Sequence, residues 1–183
     1  MAGRDPALYP DLLGDRWSAL APLVQRLHET SAGARGTFEV KRGRGVLAQL
    51  LATLLGMPRA AERVAIALRV ERTERGERWT RTFGDRAVAT TQWRSGELLV
   101  EAMGLTQCWF RLVAAEGALV FEQVKARFGL GRFAFPIPRW IAPWITGRAE
   151  PRADAVHVSV QIGVPLFGLI VSYEGSVTVE VAA

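Results

Sequence analysis

The sequence predicts an α+β fold: a strongly bent antiparallel sheet or partly open barrel of about eight or nine strands, with N-terminal helices packed in or across its concave face. Three observations lead there. Apolar residues recur every three or four positions up to about Pro58 and every two positions beyond it. Turn signals then follow at short intervals, which makes successive strands antiparallel. A chain of 183 residues, 49% apolar and 22% charged, also fits one domain with a sizeable core. Residues 1–183 therefore read as a single unit, mainly helical over 1–58 and strand-rich over 59–183.

Leu8, Leu12 and Leu13, then Leu20, Leu23, Val24 and Leu27, mark two short helices. Gly14 and Asp15 break them apart, and Pro22 suits the first turn of the second, where its missing N–H costs nothing. SAGARG reads as a loop, and residues 37–42 alternate like a short strand. The run KRGRGVLAQLLATLLGMPR supplies a third helix over 45–55, stopped by Gly56 and Pro58. Its apolar stretch would form about 15 Å of helix, half of what a bilayer core requires, so no transmembrane segment is expected. Gln49 and Thr53 lie on one narrow stripe, which predicts a helix buried nearly all round in the groove of the sheet. The competing reading is an in-plane membrane helix with Arg42, Arg44 and Arg59 at the headgroups. Such helices carry a strong polar face that this one lacks, but peripheral membrane contact stays open.

Beyond Pro58, Val64, Ile66, Leu68 and Val70 alternate with smaller or polar residues, as do Trp79, Arg81 and Phe83 and later Val156, Val158, Val160 and Ile162. Turn signals fall at 75–77, 84–86, 95–97 and 115–117. The stretch FAFPIPRWIAPWITGRAEPRAD has four prolines and two tryptophans. It predicts a long structured crossover at 133–152 in place of a central strand.

Charge and composition exclude several classes. The net charge is +5 and the sequence pI about 10.3, yet the arginines are interleaved with glutamates as in RVERTERGERWTRTFGDR. That is a solvated surface of mixed sign, and no nucleic-acid-binding spacing accompanies it, so no nucleic-acid partner is expected. The opening residues contain early charge and no apolar h-region, which predicts no secretory signal and a cytoplasmic location. Cys108 is the single cysteine and reads as a small buried hydrophobe on a strand.

YPDLLGDRW…LHE, KRGRGVLAQLLATLLGMP, ERWTRTFGDR, PIPRW and VPLFGLIVSYEG resemble, in that order, the bacterial family catalogued as domain of unknown function 4166. The likeness covers nearly the whole chain, and its motifs are specific as an ordered set. The resemblance implies either a stand-alone protein or the C-terminal part of a chain that begins with a dehydrogenase-like dinucleotide-binding domain. No GxGxxG follows a strand here, so that domain is not expected in this chain, and the resemblance brings no catalytic residues or cofactor with it.

The side chains themselves carry few chemical signatures. His28 and His157 stand apart, in no metal-binding spacing, and GxSxG, a Walker loop and a Cys-His pair are missing. No metal and no catalytic residue are expected. His28 reads as a helix-end residue suited to the dipole, and His157 as solvated. In ERWTRTF, period two puts Arg81 on the face of Trp79 and Phe83; the guanidinium either points inward and needs a partner or folds over exposed aromatics. In the crossover, Phe133, Phe135, Ile137, Trp140, Ile141, Trp144 and Ile145 form an apolar cluster with Arg132, Arg139 and Arg148 at its margins. It either closes a barrel mouth or lines a site for an apolar ligand.

These features predict a non-enzymatic module that binds an apolar or amphipathic small molecule with an anionic end, through Arg81, Trp79, Phe83, Trp140, Trp144 and Phe135. The alternative is an accessory module docking on a dehydrogenase-like redox enzyme. A third option is an enzyme without a recognisable signature, built on Arg81 with Glu71 or Glu101. A helix filling the concavity would favour docking, whereas a cavity of roughly 300 Å³ or more would favour a ligand.

Overall fold

The computed structural model describes residues 7–29, 32–129, 133–138 and 140–180. Two short helices, α1 (Leu8–Leu13) and α2 (Pro22–Leu27), flank a 3-10 turn at Gly14–Ala19. Strand β1 (Gly33–Arg42) and helix α3 (Val46–Leu54) follow. Hairpins then succeed one another: β2 (Ala61–Thr73), β3 (Gly76–Phe83), β4 (Arg86–Ser95), β5 (Leu98–Met103), β6 (Thr106–Ala115) and β7 (Ala118–Phe128). The two-residue strand β8 (Phe135–Pro136) precedes β9 (Trp144–Arg152), β10 (Ala155–Val164) and β11 (Gly168–Glu180).

Ten of these strands close into an antiparallel barrel in the order β1-β2-β3-β4-β5-β6-β7-β9-β10-β11, with β8 as one outer strand on β7. The barrel is thus closed where a bent or partly open sheet of fewer strands was expected, and the molecule is mostly β. Closure rests on β1, which pairs with β2 on one side and β11 on the other. Residues 33–36 of the expected loop are the start of that strand: they carry no apolar period, yet partners on both sides satisfy their backbone groups. Gly175, opposite Phe38, is needed because an added Cβ would stand 2.5 Å from the Phe38 ring and 2.2 Å from the Thr37 carbonyl oxygen.

Within the stretch read as a crossover, residues 135–136 form β8 and residues 144–152 are a full strand. Those last residues form β9, which pairs along its length with β10 and over residues 146–149 with β7. Pro151 lies past the β7 ladder, so its missing N–H interrupts nothing on that side. Arg132 and Arg139 lie outside the described residues. Positive-φ glycines hold the tight turns, for example Gly84 (φ 59°) and Gly96 (φ 64°).

α1, the 3-10 turn and α2 plug one end of the barrel. They bury Tyr9, Leu12, Leu13, Leu20, Val24 and Leu27 in the core, and Ala21 N–H donates to the Gly117 carbonyl (2.9 Å) in the β6–β7 turn. The third helix departs from expectation. Instead of filling the concavity, α3 lies against the ends of β11 and β1 at the other mouth. Its small residues Ala48 and Ala52 are buried, while Val46, Leu47, Leu50 and Leu54 face solvent. The interior it was expected to occupy is narrowed from the opposite end by the plug and by inward-pointing aromatics, which leave no room for a helix. Arg42 donates to the carbonyls of Pro58 (2.8 Å) and Met57 (2.6 Å), and Arg86 to that of Gly56 (3.0 Å). These bonds fold the segment after α3 over the rim and bury Met57 and Pro58.

Candidate functional site: a cavity inside the barrel

Period-two geometry points one side chain in two from each strand into the barrel. Between the N-terminal plug and the rim segment this leaves a cavity of about 160 Å³. Its wall is mostly apolar, with Phe38, Ile66, Phe83, Phe110, Val158 and Val160 among the lining residues. One polar group of residues interrupts it. Arg81 on β3 reaches across β4, donating to Thr90 Oγ1 (3.0 Å) and pairing with Glu101 Oε1 on β5 (3.3 Å). The guanidinium also stands 5.5 Å from the Trp79 ring centroid. Burial alone would lower the pKa of Arg81, but Glu101, Tyr173 and Tyr9 together hold it above its ordinary value.

The plug contributes the adjoining side of the cavity. Tyr9 is fully buried and donates to Gln92 Oε1 (2.7 Å), and Trp79 Nε1 donates to Glu77 Oε2 (3.1 Å). His28 packs edge-on to Tyr9, with ring centroids 4.8 Å apart. Its Nδ1 is 2.8 Å from the Val24 carbonyl, an acceptor, so that nitrogen carries the proton. Burial pushes the His28 pKa down to about 4, so this helix-end residue meets the last turn as a neutral hydrogen-bonding side chain and not as a cation. Burial, with Glu101 nearby, pushes the Cys108 thiol up to about 12, so the cysteine is a buried hydrophobe and no nucleophile.

Of the residues picked out from the sequence, Trp79, Arg81 and Phe83 line the cavity together. Trp144 lies elsewhere, in an outer groove between β7 and β9, with its ring covering Gly163. Phe135 and Trp140 are exposed, 67% and 66% respectively. Of the crossover cluster and its margins, only Ile145 and Arg148 among the described residues line the cavity with Arg81. Glu101 joins the site, whereas Glu71 stands outside and pairs with Arg69 (3.6 Å). Tyr9, Thr90, Gln92 and Tyr173 were missed. Thr90 and Gln92 share the parity of Val88 on β4, the signal that would have found them.

The cavity and the outer groove meet at Phe121, Ile145, Gly147 and Arg148, which line both. Here β7 and β9 part after Glu122 and Thr146. Gln123 spans the gap: its Nε2 donates to the Pro143 carbonyl (2.6 Å), and its Oε1 accepts from Ile145 N–H (2.7 Å). A side chain thus takes the place of a ladder rung where the cavity and the groove adjoin.

Fold and site together define a closed antiparallel barrel, plugged at one end, around a small and mostly apolar cavity lined by the largely buried Arg81–Glu101 ion pair. The chain belongs to the family described as a domain of unknown function, DUF4166, which matches residues 20–177. No curated protein and no solved structure matches it. Among the described residues no group of three or more His, Cys, Asp or Glu side chains could hold a metal ion, and no helix is long and apolar enough to cross a membrane.

Proposed function

We propose that the protein is a binding module for a compact apolar or amphipathic molecule held inside the barrel, its polar end beside Arg81, Glu101 and Thr90. The observation that carries this reading is the buried ion pair facing an apolar cavity of about 160 Å³. That volume falls short of the roughly 300 Å³ expected of a site for a drug-sized ligand, but it is close to the roughly 150 Å³ at which an apolar cavity takes up a single benzene ring. A single-ring molecule fits, or the end of a longer amphipath whose remainder leaves by the rim or the Gln123 gap. Because Glu101 already meets the charge of Arg81, an anionic end has less to gain here than a hydroxyl or carbonyl, which can use donor and acceptor at once.

Native mass spectrometry of freshly purified protein, followed by a thermal-shift titration with indole and p-cresol, tests this. The expected result is a copurified small molecule or a probe-dependent rise in melting temperature that Val160→Phe, which fills the cavity, abolishes. A bare chain mass together with no shift from either probe would overturn it.

A further inference from the structure

The large apolar side chains that the described residues expose number thirteen, and all of them lie toward the α3 end of the barrel. Leu47, Leu50 and Leu54 on α3 are more than half exposed, and Phe167 in the β10–β11 turn and Trp140 and Phe135 before β9 stand at the same mouth. A patch of that extent on one end is not the scattered exposure of an ordinary surface. The charges there are one-sided too. Arg44, Arg59 and Arg63 are exposed around the patch, with Arg42 and Arg86 behind them at the rim, against Glu62 and Asp85. Arg42 is buried enough, and close enough to Arg86 and Arg59, for its pKa to fall. The turns of the far end are of mixed sign, with Glu74, Glu97, Glu116 and Asp154 beside Arg72, Arg75, Arg94 and Arg152.

We propose that this mouth docks on an anionic lipid surface, with α3, Phe167 and Trp140 entering the boundary between headgroups and acyl chains and Arg44, Arg59 and Arg63 at the phosphates. The flanking arginines supply the cationic rim that α3 alone lacks, and an indole ring suits that boundary. A second copy fits less well, because a two-fold contact through this patch would set its arginines against one another. α3 has nine residues, so it lies on such a surface and does not cross it. Docking does not rest on the cavity reading and is measured without any cavity ligand.

The test is flotation of the full chain with phosphatidylcholine vesicles, with and without phosphatidylglycerol. Binding is expected to require phosphatidylglycerol, to weaken as salt is raised, and to fall at least about tenfold in Leu50→Glu/Leu54→Glu and in Arg44→Glu/Arg59→Glu. Both pairs change exposed side chains, and an unchanged melting temperature verifies that the barrel is intact. Absence of binding to the anionic vesicles overturns the proposal. So does equal binding to neutral ones, or a dimer in solution that Leu50→Glu/Leu54→Glu splits while the parent ignores vesicles.

Discussion

Arg81 and Glu101 meet inside the barrel across the full width of β4, 3.3 Å apart with each side chain only 20% exposed. Removing one member leaves the other charged and poorly solvated, which costs more than the pair contributes. Arg81→Met should therefore lower the unfolding free energy by about 3 kcal/mol, read from urea denaturation. Arg81→Met/Glu101→Leu, which removes both charges, should recover most of that loss. An unchanged midpoint in the single variant would mean that Glu101 is solvated or bonded elsewhere.

His28 makes stability depend on pH. Its folded pKa, near 4, lies below the unfolded value of 6.5, so between these values the unfolded chain binds the proton and the folded chain does not. Stability from this group is full above about pH 7 and is lost as pH falls through that window, by about 2 kcal/mol at pH 5. His28→Gln should flatten this slope in urea titrations at the two pH values, whatever it does to absolute stability.

The two sides of α3 should answer oppositely to the same substitution. Leu54→Asp changes a side chain that is 74% exposed and should shift stability by no more than about 0.5 kcal/mol. Ala48→Asp puts a carboxylate into a site 1% exposed and should cost several kcal/mol or yield insoluble protein. Comparable melting temperatures for the two variants would contradict the observed orientation of the helix.

Gln123→Ala removes the rung between β7 and β9 and strands the Ile145 amide. The expected loss is about 1–2 kcal/mol, felt locally. Hydrogen exchange should accelerate at Ile145 and its neighbours while the amides of β3 and β4 keep their protection. Uniform acceleration across the barrel would show instead that the rung supports the whole sheet.

Much of the barrel was legible because short turns are local. Each of the four turn signals falls between two strands: β2 and β3, β3 and β4, β4 and β5, β6 and β7. Parity along β3 likewise put Arg81 on one face with Trp79 and Phe83, the face that the structure turns inward. What escaped was long-range. Residues 33–36 become strand only because β11 and β2 lie on either side, and β9 is a strand despite Pro143 before it and Pro151 within it because β10 pairs with it throughout. The periodicity of α3 was read correctly as helix, but an apolar surface does not say what covers it. Ala48 and Ala52, four apart and small enough to sit close on the strands, were the sign of which side would face the barrel.

The pairing of β1 also governs the order in which the molecule can assemble. Val40 meets Ala61 on one side and Tyr173 on the other, so one neighbour is close along the chain and the other is separated by most of it. On the ribosome the meander from β2 to β7 can form as it emerges, whereas β1 keeps a bare edge until β11 arrives. Arg35, Gly36, Glu39 and Lys41 on that edge are the kind of charged and flat residues that discourage pairing with a foreign strand in the interval. Closing the seam costs loop entropy before its contacts form, so it is expected to come after the local hairpins.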